Sequence, residues 1–107
     1  MTVLVRQHRQ VRDDIREIAL YIGEHSLDAA TAFPGAVEVT IQGLAEMPGK
    51  GSPKAFNHPK LQNVRSYAVK GFRNHLILYC RDSDGGISVL AVTHGARNLP
   101  GSLLRRV

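Results

Sequence analysis

Two sets of apolar residues recur at spacings of three and four in the first half of the chain, which predicts two amphipathic helices. The first set, which indicates a helix over about residues 9–24, is Val11, Ile15, Ile18, Ala19 and Ile22. The second set, preceded by the candidate caps Ser26 and Asp28, is Ala29, Phe33, Ala36, Val37, Ile41 and Leu44. Helices joined by so few residues form an antiparallel hairpin.

Pro34 interrupts the second set of apolar residues. A proline inside a helix removes a backbone hydrogen bond and costs about 3 kcal/mol or more. The second helix is therefore expected either to kink at Pro34 or to begin late, with Thr31 as its N-cap and Pro34 in its first turn.

Short apolar runs typical of strands occupy residues 2–5, 64–69, 75–81 and 87–93. The links at 70–74 and 82–86 have hairpin length, so the last three runs predict an antiparallel meander. The stretch 47–60 is rich in proline, glycine and lysine and predicts a loop with a basic rim. The sequence thus predicts an α+β fold in which a helical hairpin, preceded by a strand, packs on one face of a small antiparallel sheet.

Alternation along the last strand predicts that Ser88, Leu90, Val92 and His94 share one face. Both faces of this strand are apolar, so the helices are expected to cover one of them. The other is available to a partner or to the C-terminal tail, which carries Leu103 and Leu104.

The composition indicates one folded domain over residues 1–107, with 43% hydrophobic residues and a formal net charge of +5. Such a charge favours binding to an acidic partner. The three candidate classes of partner are a nucleic acid, an acidic protein segment and a membrane surface.

The one cysteine, Cys80, fits a reducing compartment, and no apolar run is long enough for a signal peptide or a membrane span. We therefore expect a cytoplasmic protein. The five histidines lack metal-ligand spacing and no glycine-rich phosphate loop is present, so neither a metal nor a cofactor is predicted.

Candidate functional residues lie at the end of the last predicted strand. His94 and Arg97 flank Gly95 and Ala96, and an imidazole beside a guanidinium suits a phosphate or a carboxylate. Arg65, Arg73 and Arg81 lie on neighbouring strands or their tips, which predicts an arginine cluster. The alternative is that His94 packs on the sheet end and Arg97 pairs with a surface acid. RNA cleavage would need a base, an acid and a cation, and the sequence near His94 and Arg97 offers only two of these groups.

Several segments together resemble the ParE branch of the ParE/RelE toxins of bacterial type II toxin–antitoxin systems. They are DIREIALYIGEHSLDAATAF, IQGLAEMPGKG, VRSYAVKGFRNHLILYCR and LAVTHGARNL, and they follow the family's order over almost the whole chain. The combination of VKGFRNHLILY with HGARNL is the specific part of the resemblance.

The resemblance implies the hairpin-on-sheet fold and a growth-inhibiting toxin that poisons DNA gyrase and serves in plasmid stabilisation. It implies an acidic, partly disordered cognate antitoxin, assembly into a toxin–antitoxin hetero-oligomer, and contact with DNA only through that antitoxin. Target-binding residues are then expected among Arg65, Arg73, Arg81, His94 and Arg97, and antitoxin-binding residues among Leu90, Val92, Leu103 and Leu104.

Two alternatives stay open. One is a ribosome-dependent messenger RNA endoribonuclease of the RelE type, for which Arg65, Arg81, His94 and Arg97 would be the catalytic residues. The C-terminal tyrosine of the RelE pattern is absent, which favours a binding protein over an enzyme. The other is a non-toxic remnant that serves as the antitoxin's co-repressor, because Pro34 departs from the family's uninterrupted second helix.

Overall fold

The computed structural model describes residues 4–95 and 100–107 of the chain. A short strand, β1 (Val5–Gln7), precedes two helices, α1 (Val11–Gly23) and α2 (Leu27–Glu46). The later elements are β2 (Ser52–Pro53), β3 (Val64–Val69), β4 (Phe72–Arg81), β5 (Ile87–His94) and a short helix, α3 (Pro100–Leu104). The predicted α+β class and helical hairpin are confirmed.

The five strands form one sheet in the order β1-β5-β4-β3-β2. The meander of β3, β4 and β5 is antiparallel as predicted, whereas β1 pairs parallel to β5, which makes the sheet mixed. Strand β4 begins at Phe72, three residues earlier than predicted, because Lys70 and Gly71 alone form the hairpin turn. Gly71 has a φ of 83°, a left-handed conformation that favours glycine.

The stretch 47–60 is not simply a loop, as the sequence predicted. It holds two 3₁₀ turns, Pro48–Lys50 and Pro59–Leu61, and the edge strand β2. A two-residue strand is too short to show any periodicity, and proline is tolerated at a sheet edge because it needs no ladder partner there.

Helix α2 begins at Leu27 and contains Pro34, so the predicted late start at Thr31 is wrong. Ser26 is the N-cap, and its hydroxyl accepts a 3.1 Å hydrogen bond from the Ala29 N–H. Phe33 and Val37, which flank the proline, are fully buried against the sheet. Tertiary packing of this kind outweighs the one backbone bond that Pro34 cannot make.

Both faces of the sheet are covered. The helical hairpin packs on one face around a core that includes Phe33, Val37, Ile41, Leu44, Val69, Ile77, Tyr79, Val89 and Val92. The 3₁₀ turn at Pro59–Leu61 and helix α3 pack on the other face around Leu61, Val64, Leu78, Leu90, Ala91 and Leu103.

A β-bulge in β5 corrects the predicted faces of this strand. Leu78 pairs with Ala91 and Tyr79 pairs with Val89, so Leu90 is an extra residue in the ladder. An extra residue shifts the alternation by one position. Val92 therefore belongs to the core under the helical hairpin while Leu90 belongs to the opposite core, and the prediction that they share a face is wrong.

We predict that Ile41→Asp destabilises the fold by more than about 3 kcal/mol, because a carboxylate would replace a buried apolar side chain. Ile41 is 3% exposed, whereas Ile15 and Ile18 are only partly buried, so Asp at those two positions should cost less. Urea unfolding measures the effect. Val39→Asp is the control on the same helix, since Val39 is 58% exposed. Equal unfolding midpoints for Ile41→Asp and Val39→Asp would refute the assignment.

Candidate functional site

The predicted arginine cluster divides into two groups at opposite ends of β4. Arg81 ends β4 and pairs with Ile87, whereas His75, near its start, pairs with His94. Six residues of extended strand separate the two positions, a distance of about 20 Å. Arg65, which pairs with Tyr79, lies with Arg81. Arg73, next to the hairpin turn, lies towards the His94 end.

Arg65 and Arg81 line one shallow groove at the start of β3 and the end of β4. Pro53, Gln62, Asn63 and Asp82 also line it, and the Asp82 carboxylate accepts hydrogen bonds from Arg6 and Ser88. The Arg65 Nη1 donates a 2.6 Å hydrogen bond to the Gly51 carbonyl, which fixes the side chain, while Arg81 is exposed. Two guanidinium groups with amide side chains beside them can hold an anionic or acidic partner.

A buried tyrosine that the sequence analysis missed supports this groove. The Tyr79 hydroxyl donates to the Pro48 carbonyl at 2.7 Å and accepts from the Gly51 N–H at 2.8 Å. Burial raises the pKa of Tyr79, so the hydroxyl stays protonated and keeps its donor role. Gly51 is needed because a Cβ there would collide with the Tyr79 ring and hydroxyl.

His94 lies at the other end of the sheet, where its ring contacts His75 edge to face with centroids 5.5 Å apart. The His75 ring also contacts Phe33 from α2 at 5.4 Å. His75 Nδ1 is buried and has no hydrogen-bond partner. Desolvation lowers the pKa of His75, and the neighbouring His94 lowers it further. Gly95 lies beside Leu76 and the Asn74 carbonyl, whereas Arg97 falls outside the described residues.

The four predicted antitoxin-binding residues are in large part internal. Leu90, Val92 and Leu103 are 6%, 3% and 1% exposed, and Leu104 is partly buried. Leu90 and Leu103 belong to the same core, so the chain's own tail covers the apolar sheet face that the sequence left open to either a partner or the tail. A role for these four residues in antitoxin binding stays a prediction.

An ion pair that the sequence analysis did not identify joins α1 to the C-terminal tail. Arg106 contacts both carboxylate oxygens of Asp14, with its Nη1 at 2.6 Å and its Nη2 at 3.0 Å. Both side chains are about 15% exposed, and the Asp14 hydrogen bond raises the pKa of Arg106. The same two side chains bind the backbone of β5, since Asp14 accepts from the Val92 N–H and Arg106 donates to the Leu90 carbonyl.

Charges of opposite sign occupy different parts of the chain. Residues 11–46, the helical hairpin, carry seven acids and two arginines, whereas residues 47–95 carry seven lysines and arginines and two acids. Those two acids, Asp82 and Asp84, both accept hydrogen bonds from Arg6, and the bond from Arg6 lowers the pKa of Asp84. The excess of positive charge therefore lies in the strands and loops of residues 47–95 rather than in the helical hairpin.

The described residues contain no group of three or more His, Cys, Asp or Glu side chains that could hold a metal ion. Cys80 is half-buried, and burial raises the pKa of its thiol, which keeps the sulfur protonated. Among the described helices, none is long and apolar enough to cross a membrane.

Comparison with known families gives a match over most of the chain. The family described as ParE toxin of type II toxin-antitoxin system, parDE, matches residues 5–99. This range runs from β1 to beyond the end of β5 and includes every segment on which the resemblance was based. The chain belongs to the ParE toxin family. No curated protein matches it.

Membership makes the chain the toxin of a type II toxin–antitoxin pair and implies a cognate antitoxin. In this ParE toxin, the matched range holds the Arg65–Arg81 groove, the His75–His94 contact and Asp14, while Arg106 lies beyond it. The target-binding roles predicted for Arg65, Arg73, Arg81, His94 and Arg97 stay predictions.

We predict that this ParE toxin loses stability as the pH falls below about 6.5, the ordinary pKa of histidine. The folded state lowers the pKa of His75, so the unfolded chain binds more protons in this range and stability must fall with pH. Urea unfolding between pH 7.5 and 5 measures the slope. His75→Phe keeps an aromatic ring beside Phe33 and should flatten it.

His25→Phe is the control for this slope, because His25 is exposed at the end of α1. It should leave the loss of stability at low pH in place. An unchanged slope in His75→Phe would rule out His75 as its source.

Proposed function

We propose that this ParE toxin inhibits growth by binding DNA gyrase and poisoning it, and that an acidic cognate antitoxin keeps it silent. Membership of the ParE toxin family supports the toxin role and the existence of a cognate antitoxin. The gyrase target, plasmid stabilisation, action in the cytoplasm and contact with DNA only through the antitoxin are parts of the proposal.

The separation of the candidate catalytic residues supports a toxin that acts by binding its target rather than by cleaving RNA. Metal-free RNA cleavage needs a base, an acid and a cation around one phosphate. Along the strands, His94 lies about 20 Å from Arg81 and about 13 Å from Arg65, so the three groups do not surround one phosphate. The groove formed by Arg65 and Arg81 instead supports binding of an acidic partner.

The continuity of α2 supports a working toxin over a decayed one. The helix runs through Pro34 from Leu27 to Glu46, and its core side chains stay buried. The family's second helix is thus retained in this chain.

Inducing the chain in bacteria without its antitoxin tests the proposal. We expect filamentous cells, a DNA-damage response and, with purified gyrase, accumulation of cleaved DNA bound to the enzyme. Ribosome-bound transcripts cut in cells with intact DNA would instead establish the RelE-type nuclease. Normal growth at confirmed soluble expression would establish the co-repressor remnant.

We further predict that Arg81→Ala relieves growth inhibition while the fold is retained. Arg81 is exposed and forms no ion pair within the described part of the chain, so its loss should change stability by no more than about 0.5 kcal/mol. As a hot spot for an acidic target it would contribute on the order of 2 kcal/mol, about a 30-fold change in affinity. Gyrase binding and the melting temperature are measured together.

Arg16→Ala is the matched control, because Arg16 is exposed on α1 and its loss removes the same charge from the acidic hairpin. It should leave toxicity unchanged. Full toxicity of Arg81→Ala would exclude the Arg65–Arg81 groove as the target-binding surface.

A further inference from the structure

Among the described residues, Asp82 is the one acid that lines the Arg65–Arg81 groove. It follows Arg81 directly in the chain, and both side chains line the same shallow surface. A carboxylate in this position works against an acidic partner, because it repels that partner and competes with it for a guanidinium. Arg81 nevertheless forms no ion pair within the described part of the chain, so the Asp82 carboxylate is engaged elsewhere.

Donors from β1 and β5 hold the Asp82 carboxylate. The Arg6 Nη1 donates to one of its oxygens at 2.7 Å, and the Ser88 hydroxyl contacts both oxygens at 2.9 and 2.8 Å. Arg6 and Ser88 are register partners in the parallel pairing of β1 with β5, so the backbone places these two donors beside each other. The pairing of β1 with β5 thus determines which groups Asp82 contacts.

The second acid of the β4–β5 turn, Asp84, shares this arginine but does not line the groove. The Arg6 Nη2 donates to one Asp84 oxygen at 2.8 Å, and the other oxygen accepts from the Gly86 N–H at 2.9 Å. The planar guanidinium of Arg6 therefore spans two carboxylates, only one of which belongs to the groove. Asp84 is the matched comparison for Asp82.

We propose that Arg6 is a positioning residue for the Arg65–Arg81 groove, which keeps Asp82 from pairing with Arg81 and so leaves the Arg81 guanidinium available to the carboxylates of an acidic partner. The inference rests on the proposed function in one respect, which is that this groove binds an acidic target. Without Arg6, the Asp82 carboxylate loses its cationic partner and pairs with the neighbouring guanidinium, which withdraws Arg81 from the groove.

A positioning role differs measurably from a simple contribution of charge. Charges on side chains that keep their places act independently, so Asp82→Asn would then strengthen the binding of an acidic partner equally with or without Arg6. If Arg6 positions Asp82, the two changes are non-additive, because Asp82 reaches Arg81 only when Arg6 is absent.

A peptide of ten glutamates is the probe for the groove. NMR titration at fixed salt gives its dissociation constant from the amide shifts of residues 62–65 and 81–83. Arg6→Gln should weaken binding about 1.5- to 5-fold more than Arg9→Gln, the range that one exposed charge interaction gives. Arg9→Gln is the control, since Arg9 is exposed in the same N-terminal segment and its loss removes the same charge.

Asp82→Asn and Asp84→Asn, each combined with Arg6→Gln, separate position from charge. Asp82→Asn should abolish the excess loss of affinity that Arg6→Gln shows over Arg9→Gln. Asp84→Asn removes the same charge from the same turn and should recover less, because Asp84 does not line the groove. Equal recovery by the two, or an effect of Asp82→Asn that does not depend on Arg6, would overturn the inference.

Arg6→Lys and Arg9→Lys decide the matter if Arg6→Gln does not fold. Both keep the charge, but an ammonium lacks the planar fork that spans the two carboxylates. Arg6→Lys should therefore bind the peptide more weakly than Arg9→Lys, and equal dissociation constants would contradict the positioning role.

Binding of the wild-type chain and the same variants to purified gyrase separates this inference from the proposed function. A groove that binds the peptide with the expected pattern in a chain that does not bind gyrase would uphold the role of Arg6 and reject the gyrase target. A peptide that shifts no groove amide of the wild-type chain would overturn the inference, whether or not gyrase binds.

Discussion

The extra residue at Leu90 in β5 sets the arrangement of both cores. It turns Leu90 and Ala91 towards α3 while Val89 and Val92 stay under the helical hairpin. A strand with regular alternation could not place Val89 and Val92 on one face, because residues three apart fall on opposite faces. The bulge therefore allows one strand to supply a continuous core to each side of the sheet.

Local patterns were predictable from the sequence and non-local ones were not. Apolar residues recur about every 3.6 positions in a helix, so the buried faces of α1 and α2 were predictable from the sequence. The Ser26 cap was predictable because it immediately precedes such a pattern. The bulge at Leu90 depends on the partner strand, and the parallel pairing of β1 brings residue 5 beside residue 87. Only part of the predicted arginine cluster forms, since Arg65 and Arg81 line one groove while Arg73 lies towards the other end of β4. Strand register, which the sequence does not fix, decides which ends of β3, β4 and β5 meet.

The net charge of +5 is unevenly distributed between the helical hairpin and the strands and loops. The helical hairpin has an excess of acids and residues 47–95 have an excess of bases, so an acidic partner is attracted to the strands and loops of residues 47–95 more than to the hairpin. Arg6 strengthens this division, since it occupies both acids of the β4–β5 turn. Charge thus orients an approaching acidic partner before any specific contact forms.

The ion pair at the β5 edge explains how a strand that β1 pairs only from Ile87 to Val89 is tolerated in a free chain. An open edge invites pairing between copies, and natural proteins block such edges with charged side chains. Asp14 and Arg106 do so while they satisfy the backbone groups that the edge leaves exposed. The edge is therefore closed by side chains rather than by a further strand of the described chain.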